Sequence, residues 1–389
     1  LSANSVMRGR LDARRTLKSL VADLRITSLI EDFSKYTLSL KACPADEMGQ
    51  AYEYLVGKFA DDAGNTAQEF YTNRTVVQLM AEILQPQPNE SIYDPTCGSG
   101  GMLVKCLDYL RNKGEEWQGV QVFGQEVNGL TSSIARMNLY LNGVEDFSIA
   151  CADTLENPAF IDGSQLRKFD IVLANPPYSI KEWNREKFMN DKWGRNFLGT
   201  PPQGRADYAF IGHILKSLDS NSGRCAILLP HGVLFRNEEH NIRKSLIESD
   251  LIEAVIGLGP NLFYNSPMEA SIIICRTRKD IGLNNKIIFI NALKEVERKN
   301  GESYLLDTHI NKIVGAYKNH SNIDRFCRVV SLEELIKNNY SLNIPLYVHT
   351  STYQDYTWDF DLLTSSKEWR DSHNRAIESI EDLLSLIQD

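Results

Sequence analysis

Five short stretches carry the residue types that chemistry needs. The sharpest is Asn175-Pro176-Pro177-Tyr178, which closes the apolar run FDIVLA. Two consecutive prolines fix an extended turn, restrict the residue before them and remove two N–H donors. Carbonyl oxygens then face the cleft, among them the Asn175 side chain and the Pro176 main chain. Such a pair can hold both hydrogens of an exocyclic –NH2, drawing the nitrogen lone pair out of conjugation and aiming it at an electrophile. Tyr178 adds a flat face for a planar base or amide, worth roughly 1–3 kcal/mol for a base. The plain alternative is a structural proline turn.

Three acidic residues close earlier apolar runs. Asp94 ends SIYD and opens Asp94-Pro-Thr-Cys-Gly-Ser-Gly-Gly101, ahead of the helical MLVKCLDYL. Thr96, Gly98, Ser99, Gly100 and Gly101 form a strand-to-helix turn of the kind that lets backbone approach a ligand and offers free helix N–H groups. The phosphate-loop pattern GxxxxGK is absent, and GxGxxG would need glycine where Leu103 stands. An acidic strand end suits a ligand with hydroxyl or ammonium donors. Taken alone, the loop reads equally as a tight structural turn. Glu126 ends VQVFGQE, 28 residues after Gly98, where a carboxylate can accept from both ribose hydroxyls of a nucleoside or simply be solvated. Asp153, followed by Thr154, ends FSIACAD; it can accept from an adenine amino group or cap the segment after it. Three carboxylates at successive strand ends lie where open α/β sheets take ligands. The fifth stretch runs from Gln68 to Arg74, before the helical TVVQLMAEIL. Thr72 reads as that helix's cap, and Phe70 and Tyr71 as either core aromatics or a cover for an adenosyl group.

The elements that must position these residues can be read from periodicity. Residues 1–66 place apolar side chains three and four apart, as helices do. From residue 91, short apolar runs alternate with helical stretches: SIYD, VQVFGQE, FSIACAD, FDIVLANPPY, RCAILLPHGVLF, LIEAVIGL, ASIIICRT and KIIFINA. That alternation predicts α/β units and a mostly parallel sheet with helices on both faces. Residues 301–349 read as a helical return, and 365–388 as an amphipathic helix with Trp369, Ile377, Ile380, Leu384 and Ile387 on one face. The expected domains are a helical one over 1–66, a catalytic one over 67–349 and a tail with a docking helix over 350–389. For that last helix, packing on its own catalytic domain is the alternative to docking on a partner.

Composition bounds the function. Of 389 residues, 42% are hydrophobic and 24% charged, a globular balance that excludes disorder as the main state. No apolar run approaches the ~20 residues of a membrane span. The opening LSANSVMRGRLDARR has no apolar secretory core, and a start at Leu1 suggests a trimmed N-terminus. Seven cysteines without a CxxC signal neither a zinc ribbon nor a disulfide framework, so no metal is expected and reduced cytoplasmic thiols fit. A net charge of −9 lacks the basic footprint of a stand-alone duplex binder. If the chain works on nucleic acid, another chain supplies much of the grip.

As a set the motifs resemble the modification subunits of type I restriction–modification systems, which are N6-adenine DNA methyltransferases. That family carries an EFYTPR-like segment, DPxCGSGG, FGxE, an ADTL-like strand end and NPPY, in that order. Here they stand as EFYTNR (69–74), DPTCGSGG (94–101), FGQE (123–126), ADTL (152–155) and NPPY (175–178), with RADYAFIGHIL (205–215), GRCAILLPHGVLFR (223–236), NLFYNSP (261–267) and YSLNIPLYV (340–348) similar too. The resemblance covers about residues 45–350. Asn73 stands where the family usually has proline, and the N-terminal helical segment is shorter than usual, which points to truncation.

The resemblance implies a Rossmann-like sheet that binds S-adenosylmethionine. Glu69, Phe70, Tyr71, Thr72, Arg74 and the loop from Asp94 to Gly101 would wrap its methionine part. Glu126 would take the ribose, and Asp153 with Thr154 the adenine side. Asn175 to Tyr178 would hold the amine of an adenine flipped out of double-stranded DNA. It further implies a separate specificity subunit, a second copy of the chain and, in some assemblies, a restriction subunit, all in a prokaryotic cytoplasm away from membranes. No spare segment of the ~150 residues of a sequence-reading domain lies between the catalytic strands and the C-terminus, in keeping with a separate specificity chain. Three other readings compete. An NPPY turn suits the side-chain amide of a protein glutamine equally well, and label appearing on protein would favour that. A silent assembly subunit would keep the fold without the transfer. A nicotinamide oxidoreductase is weakened by the missing third glycine.

Overall fold

The computed structural model describes residues 72–262, 269–299 and 302–349, with 27–28, 31–32, 34–35, 370 and 373. Glu69, Phe70, Tyr71, nearly all of the expected N-terminal helical domain and C-terminal helix, and the FYNSP part of NLFYNSP lie outside these residues. The chain divides into two compact units, Leu1–Val348 and His349–Asp389; every element below belongs to the first.

Nine strands form one sheet among the described residues. They are β1 (Ser91–Asp94), β2 (Gln121–Glu126), β3 (Phe147–Cys151), β4 (Ile171–Ala174), β5 (Arg224–Pro230), β6 (Ile252–Leu258), β7 (Ala270–Arg276), β8 (Lys286–Ala292) and β9 (Cys327–Ser331). Their order across the sheet is β3-β2-β1-β4-β5-β7-β6-β8-β9. Only β7, between β5 and β6, and β9, at the β8 edge, run antiparallel to their neighbours. β5 and β6 are buried along their whole length, which is why, apart from Arg224 and Glu253, they are apolar or small throughout rather than alternating.

The helices are α1 (Arg74–Leu84), α2 (Gly101–Lys113), α3 (Gly129–Leu141), α4 (Arg185–Met189), α5 (Asp207–Lys216), α6 (His240–Glu248), α7 (Asp307–Asn319) and α8 (Leu332–Lys337). Strand side chains alternate between two cores. Ile92, Val122 and Leu173 pack with α1, α2, α3 and α7 on one face, and Tyr93, Phe123 and Val172 pack with α5, α6 and α8 on the other. Arg224 fastens α1 to the sheet from below. Its Nε and Nη2 donate to the last carbonyls of that helix, Leu84 and Gln85, at 2.6 and 2.9 Å, and it pairs with Glu90 at 2.7 Å.

The helical return expected over 301–349 needs correction. Between α7 and α8 the segment CRVVS forms β9, pairing with β8 from Lys286↔Ser331 to Ile290↔Cys327. Its alternation is short and interrupted by Arg328, so local pattern did not reveal it; the partner strand decides the conformation.

The topology fixes where a ligand can sit. From β1 the chain steps outward to β2 and β3, then returns to place β4 on β1's other side. Loops leaving β1 and β4 therefore diverge, opening a crevice at the strands' carboxyl ends. Asp94, Glu126, Asp153 and Asn175 all lie at or just beyond those ends. No described helix is long and apolar enough to cross a membrane.

Candidate active site

Asp94 is the last residue of β1 and has no solvent exposure. Its Oδ1 accepts from the Thr96 N–H at 2.9 Å, while its Oδ2 is buried with no hydrogen-bond partner. Burial pushes this carboxyl up from 3.8 to about 7; the Thr96 N–H opposes the rise and the nearby Glu126 carboxylate adds to it. A buried carboxylate oxygen left unmatched is costly unless a donor or cation meets it. That makes Asp94 the natural seat for a charged amine.

The loop beyond it is built to come close. Gly98 and Gly100 have φ of +51° and +78°, a region that side chains disfavour, and Gly100 is the N-cap of α2. The loop is tied on its far side by Cys97 N–H to Gln125 O (2.9 Å) and Asn138 Nδ2 to Ser99 O (3.0 Å). Gly124 permits this closeness, since a Cβ there would stand 2.9 Å from Cys97 Sγ. Glu126, ending β2, accepts from Gly98 N–H through Oε2 (3.1 Å) and from Asn128 N–H through Oε1 (2.8 Å). Its carboxylate is thus oriented by the same glycine loop that Asp94 opens.

Asp153 is exposed beyond β3, and its Oδ1 accepts from Leu155 and Glu156 N–H at 2.8 and 2.9 Å. It does cap a local turn, though no α-helix comes directly after it. Thr154 is buried, and its hydroxyl donates to Pro95 O at 2.5 Å. That places Thr154 as a brace between two loops; its hydroxyl hydrogen is spent within the protein.

Asn175 comes directly after β4. Its Nδ2 donates to Thr72 Oγ1 at 3.0 Å, and its Oδ1 is buried with no hydrogen-bond partner. The amide therefore has its donor end committed and its acceptor end available. Burial drives the Tyr178 phenol well above its usual range, with Asp207 adding to the effect, so it stays neutral. Thr72 meets Asn175 rather than capping α1. The cap is Asn73, whose Oδ1 accepts from Thr75 N–H at 3.0 Å and whose Nδ2 donates to Ser303 O at 2.8 Å. Thr75 Oγ1 in turn accepts from Leu305 N–H at 2.8 Å. The residue after Thr72 has the geometry a cap needs, and a two-ended amide serves both contacts where proline could serve neither. Arg74 begins α1 and is exposed.

Behind these loops lies a buried polar network centred on Arg195 and Asp191, which no sequence motif included. Arg195 is enclosed and ion-paired with Asp191 at 2.7 Å, both side chains being 2% exposed. It also donates to Thr154 O (2.8 Å) and Leu155 O (2.7 Å), the loop after β3. Its Nη1 lies 3.4 Å from His213 Nδ1, and His213 Nε2 lies 3.1 Å from Tyr93 Oη. Burial, then the Arg195 charge, lowers His213 well below 6.5 and keeps it neutral. Replacing Arg195 by methionine leaves Asp191 buried and unpaired, so urea denaturation is expected to show a stability loss of about 3–5 kcal/mol; wild-type stability would refute the pair's role. Among the described residues no group of histidine, cysteine or acidic side chains could hold a metal ion.

This arrangement joins a close glycine loop, an unmatched buried carboxylate and a buried amide acceptor without a protein donor at the carboxyl ends of β1 and β4. Residues 44–356 match the family described as N-6 DNA methylase. The chain is 33% identical to the type I restriction enzyme MjaVII methylase subunit of Methanocaldococcus jannaschii, over 88% of this chain and 59% of that one. It is 30% identical to the MpnII methylase subunit of Mycoplasma pneumoniae, over 96% and 67%. Among solved structures, the methyltransferase subunit of a type I restriction–modification system from Streptococcus thermophilus superposes with a TM-score of 0.72 at 38% identity, covering 80% of this chain and 65% of that one. The chain spans about 60% of the length of the three M. jannaschii relatives it matches.

Proposed function

The chain belongs to the N-6 DNA methylase family, and from that membership we propose that it is the modification subunit of a type I restriction–modification system, methylating adenine N6 in DNA. Its α/β sheet is the Rossmann-like sheet of S-adenosylmethionine-dependent methyltransferases. The observation that carries the reading is Asn175, an amide whose donor end is held by Thr72 and whose buried acceptor faces no protein donor.

S-adenosylmethionine, when bound, supplies an electrophilic methyl group. The protein's residues fit it, because Asp94 Oδ2 is a buried anionic acceptor lacking a partner and matches an amino-acid ammonium. In this reading Asp94 and the loop to Gly101 hold the methionine end, with Arg74 and the segment from Glu69 to Thr72 around it. Glu126, fixed by two backbone N–H groups, accepts from the ribose. Asp153 closes the adenine side, with Thr154 bracing the loops. Asn175 Oδ1 and the Pro176 carbonyl accept the two hydrogens of the target amine, so that its lone pair is freed toward the methyl carbon. Tyr178 stacks on the base, which must leave the duplex at a cost of a few kcal/mol. The amine nitrogen would take the methyl as the methyl–sulfur bond breaks, its electron pair staying on sulfur, and the amine's surplus proton would leave to water.

The catalytic domain then runs over 67–349, with 1–66 and 350–389 as docking elements. A separate specificity subunit, a second copy of the chain and, in some assemblies, a restriction subunit complete the complex in a prokaryotic cytoplasm. The direct test incubates that complex with methyl-labelled S-adenosylmethionine and unmethylated genomic DNA. N6-methyladenine in the hydrolysed DNA is the expected product, and label on protein with none on DNA would overturn the reading.

Asp94 also sets a pH dependence. An acid whose folded pKa is raised contributes stability below its unfolded value, here 3.8, and loses it as pH rises toward about 7. At about 1.4 kcal/mol per tenfold, the ionised form costs the fold at most about 4 kcal/mol above neutrality. Asp94→Asn is therefore expected to melt higher than wild type at pH 8 without cofactor, the gap closing as pH falls below 7. The same variant should lose cofactor affinity. In the wild type, affinity should fall up to about tenfold per pH step below 7, since the ammonium requires the carboxylate. Calorimetric titration from pH 6 to 8 checks this, and a flat profile would contradict it.

A further inference from the structure

We infer that Asp207 is a positioning residue for methyl transfer, fixing the far end of the Asn175–Tyr178 turn through the main chain of Ser179. This rests on reading that turn as the seat of the target amine.

The turn needs such a fixture. Pro176 and Pro177 have no N–H, so neither can be secured by a main-chain donor. Its near end is fixed by β4 and by the bond from Asn175 to Thr72. At its far end Ser179 adopts a left-handed backbone, φ +51°, which a non-glycine residue holds only when its surroundings impose it. Asp207 imposes it. The carboxylate has no solvent exposure, and its Oδ1 accepts from the Ser179 N–H at 3.0 Å. Ser179 Oγ lies 3.4 Å from Asp207 Oδ2 and also accepts from Arg205 Nη1 at 3.0 Å.

Asp207 is itself held on two sides. It occupies the first turn of α5, where the helix dipole favours a negative charge. Its Oδ2 accepts from Arg236 Nη1 at 3.0 Å, and Arg236 comes from the segment after β5. Tyr178, immediately before Ser179, inherits its placement from this bond. A misplacement of about 1 Å at a reacting group can cost on the order of 10²-fold in rate. The partners of the Asp207 carboxylate are Ser179 and Arg236, outside the glycine loop, so its effect belongs to the transfer step and leaves cofactor binding alone.

The test uses the full chain in its assembled complex, with labelled S-adenosylmethionine and unmethylated genomic DNA, both saturating, in single turnovers. Asp207→Leu removes the acceptor and the charge. Asp207→Asn breaks the ion pair yet keeps an acceptor for Ser179. Asp207→Glu keeps the charge but displaces it by a methylene. The expected losses are about 100-fold for leucine, less than tenfold for asparagine and about tenfold for glutamate, with cofactor affinity within twofold throughout. A leucine variant within threefold of wild type would overturn the inference, as would equal losses for leucine and asparagine, which would mark a purely structural ion pair. Should the leucine variant not fold, the glutamate variant decides, a wild-type rate counting against the inference. Asn175→Ala in the same assay separates the two claims. If it is fully active, the reading of the turn itself fails; if it is inactive while the Asp207 series is not, only the positioning role fails.

Discussion

Asn175→Ala is expected to lower the methyl-transfer rate by at least about 10²–10³-fold, the effect of deleting one preorganised polar group at a site where charge develops. The loss should fall on the transfer step. Asn175 Nδ2 bonds to Thr72, and its Oδ1 makes no hydrogen bond to the loop from Asp94 to Gly101, so cofactor affinity should stay within about twofold. The substitution also leaves Thr72 Oγ1 without its donor, but an amide-to-methyl change at a half-buried turn should cost only about 1 kcal/mol of stability. Rapid-quench measurement of N6-methyladenine, beside a calorimetric titration with S-adenosylmethionine, reads both quantities. A rate within threefold of wild type would sink the assignment of Asn175 as the amine's acceptor. Lost cofactor binding would move the residue from the amine's seat to the cofactor's.

The second large effect belongs to Gly100→Asp, expected to weaken S-adenosylmethionine binding beyond calorimetric detection. Two causes act together. A side chain at φ +78° costs about 1–2 kcal/mol. A carboxylate there would also be driven past Cβ against Ala135, which is fully buried in α3, so the loop must shift to admit its bulk and charge. Gly100→Ala separates the causes. A Cβ would meet Ala135 at 3.5 Å, an ordinary contact, so alanine carries the backbone strain without the charge. It should lose about 1–2 kcal/mol in stability and bind within tenfold of wild type. Undiminished binding by the aspartate variant would remove the cofactor from this loop.

Much of the scaffold was legible because local rules and tertiary structure agree. Each apolar run that closes on an acidic residue or on Asn175 became a strand of the central sheet, and the switch between β1 and β4 arises from their connections. β9 was not legible, since CRVVS becomes a strand only by pairing with β8. The cap of α1 was misplaced by one residue, because Thr72 and Asn73 are both good caps and only their contacts, with Asn175 and with Ser303, separate them. Arg195 could not be found at all. It stands among charged neighbours in KEWNREKFMNDKWGR, and what sets it apart is burial against Asp191 and against carbonyls 40 residues away in sequence. Asp207 was visible only as part of a longer resemblance, with nothing to announce that its carboxylate reaches Ser179.

The latch at the start of α1 bears on how the chain is made. Asn73 Nδ2 to Ser303 O and Leu305 N–H to Thr75 Oγ1 each join residues 230 apart in sequence. At about 5–20 residues per second, a ribosome needs on the order of 10–50 s to extend the chain from one partner to the other. Until then the glycine loop, β1 to β3 and the proline turn can assemble, but the segment that brings Thr72 to Asn175 lacks half of its anchorage. The pocket is therefore completed from its earliest strand inward and from its latest latch outward. A nascent chain halted before Ser303 should hold its parallel strands while leaving Thr72 and α1's first turn open to protease.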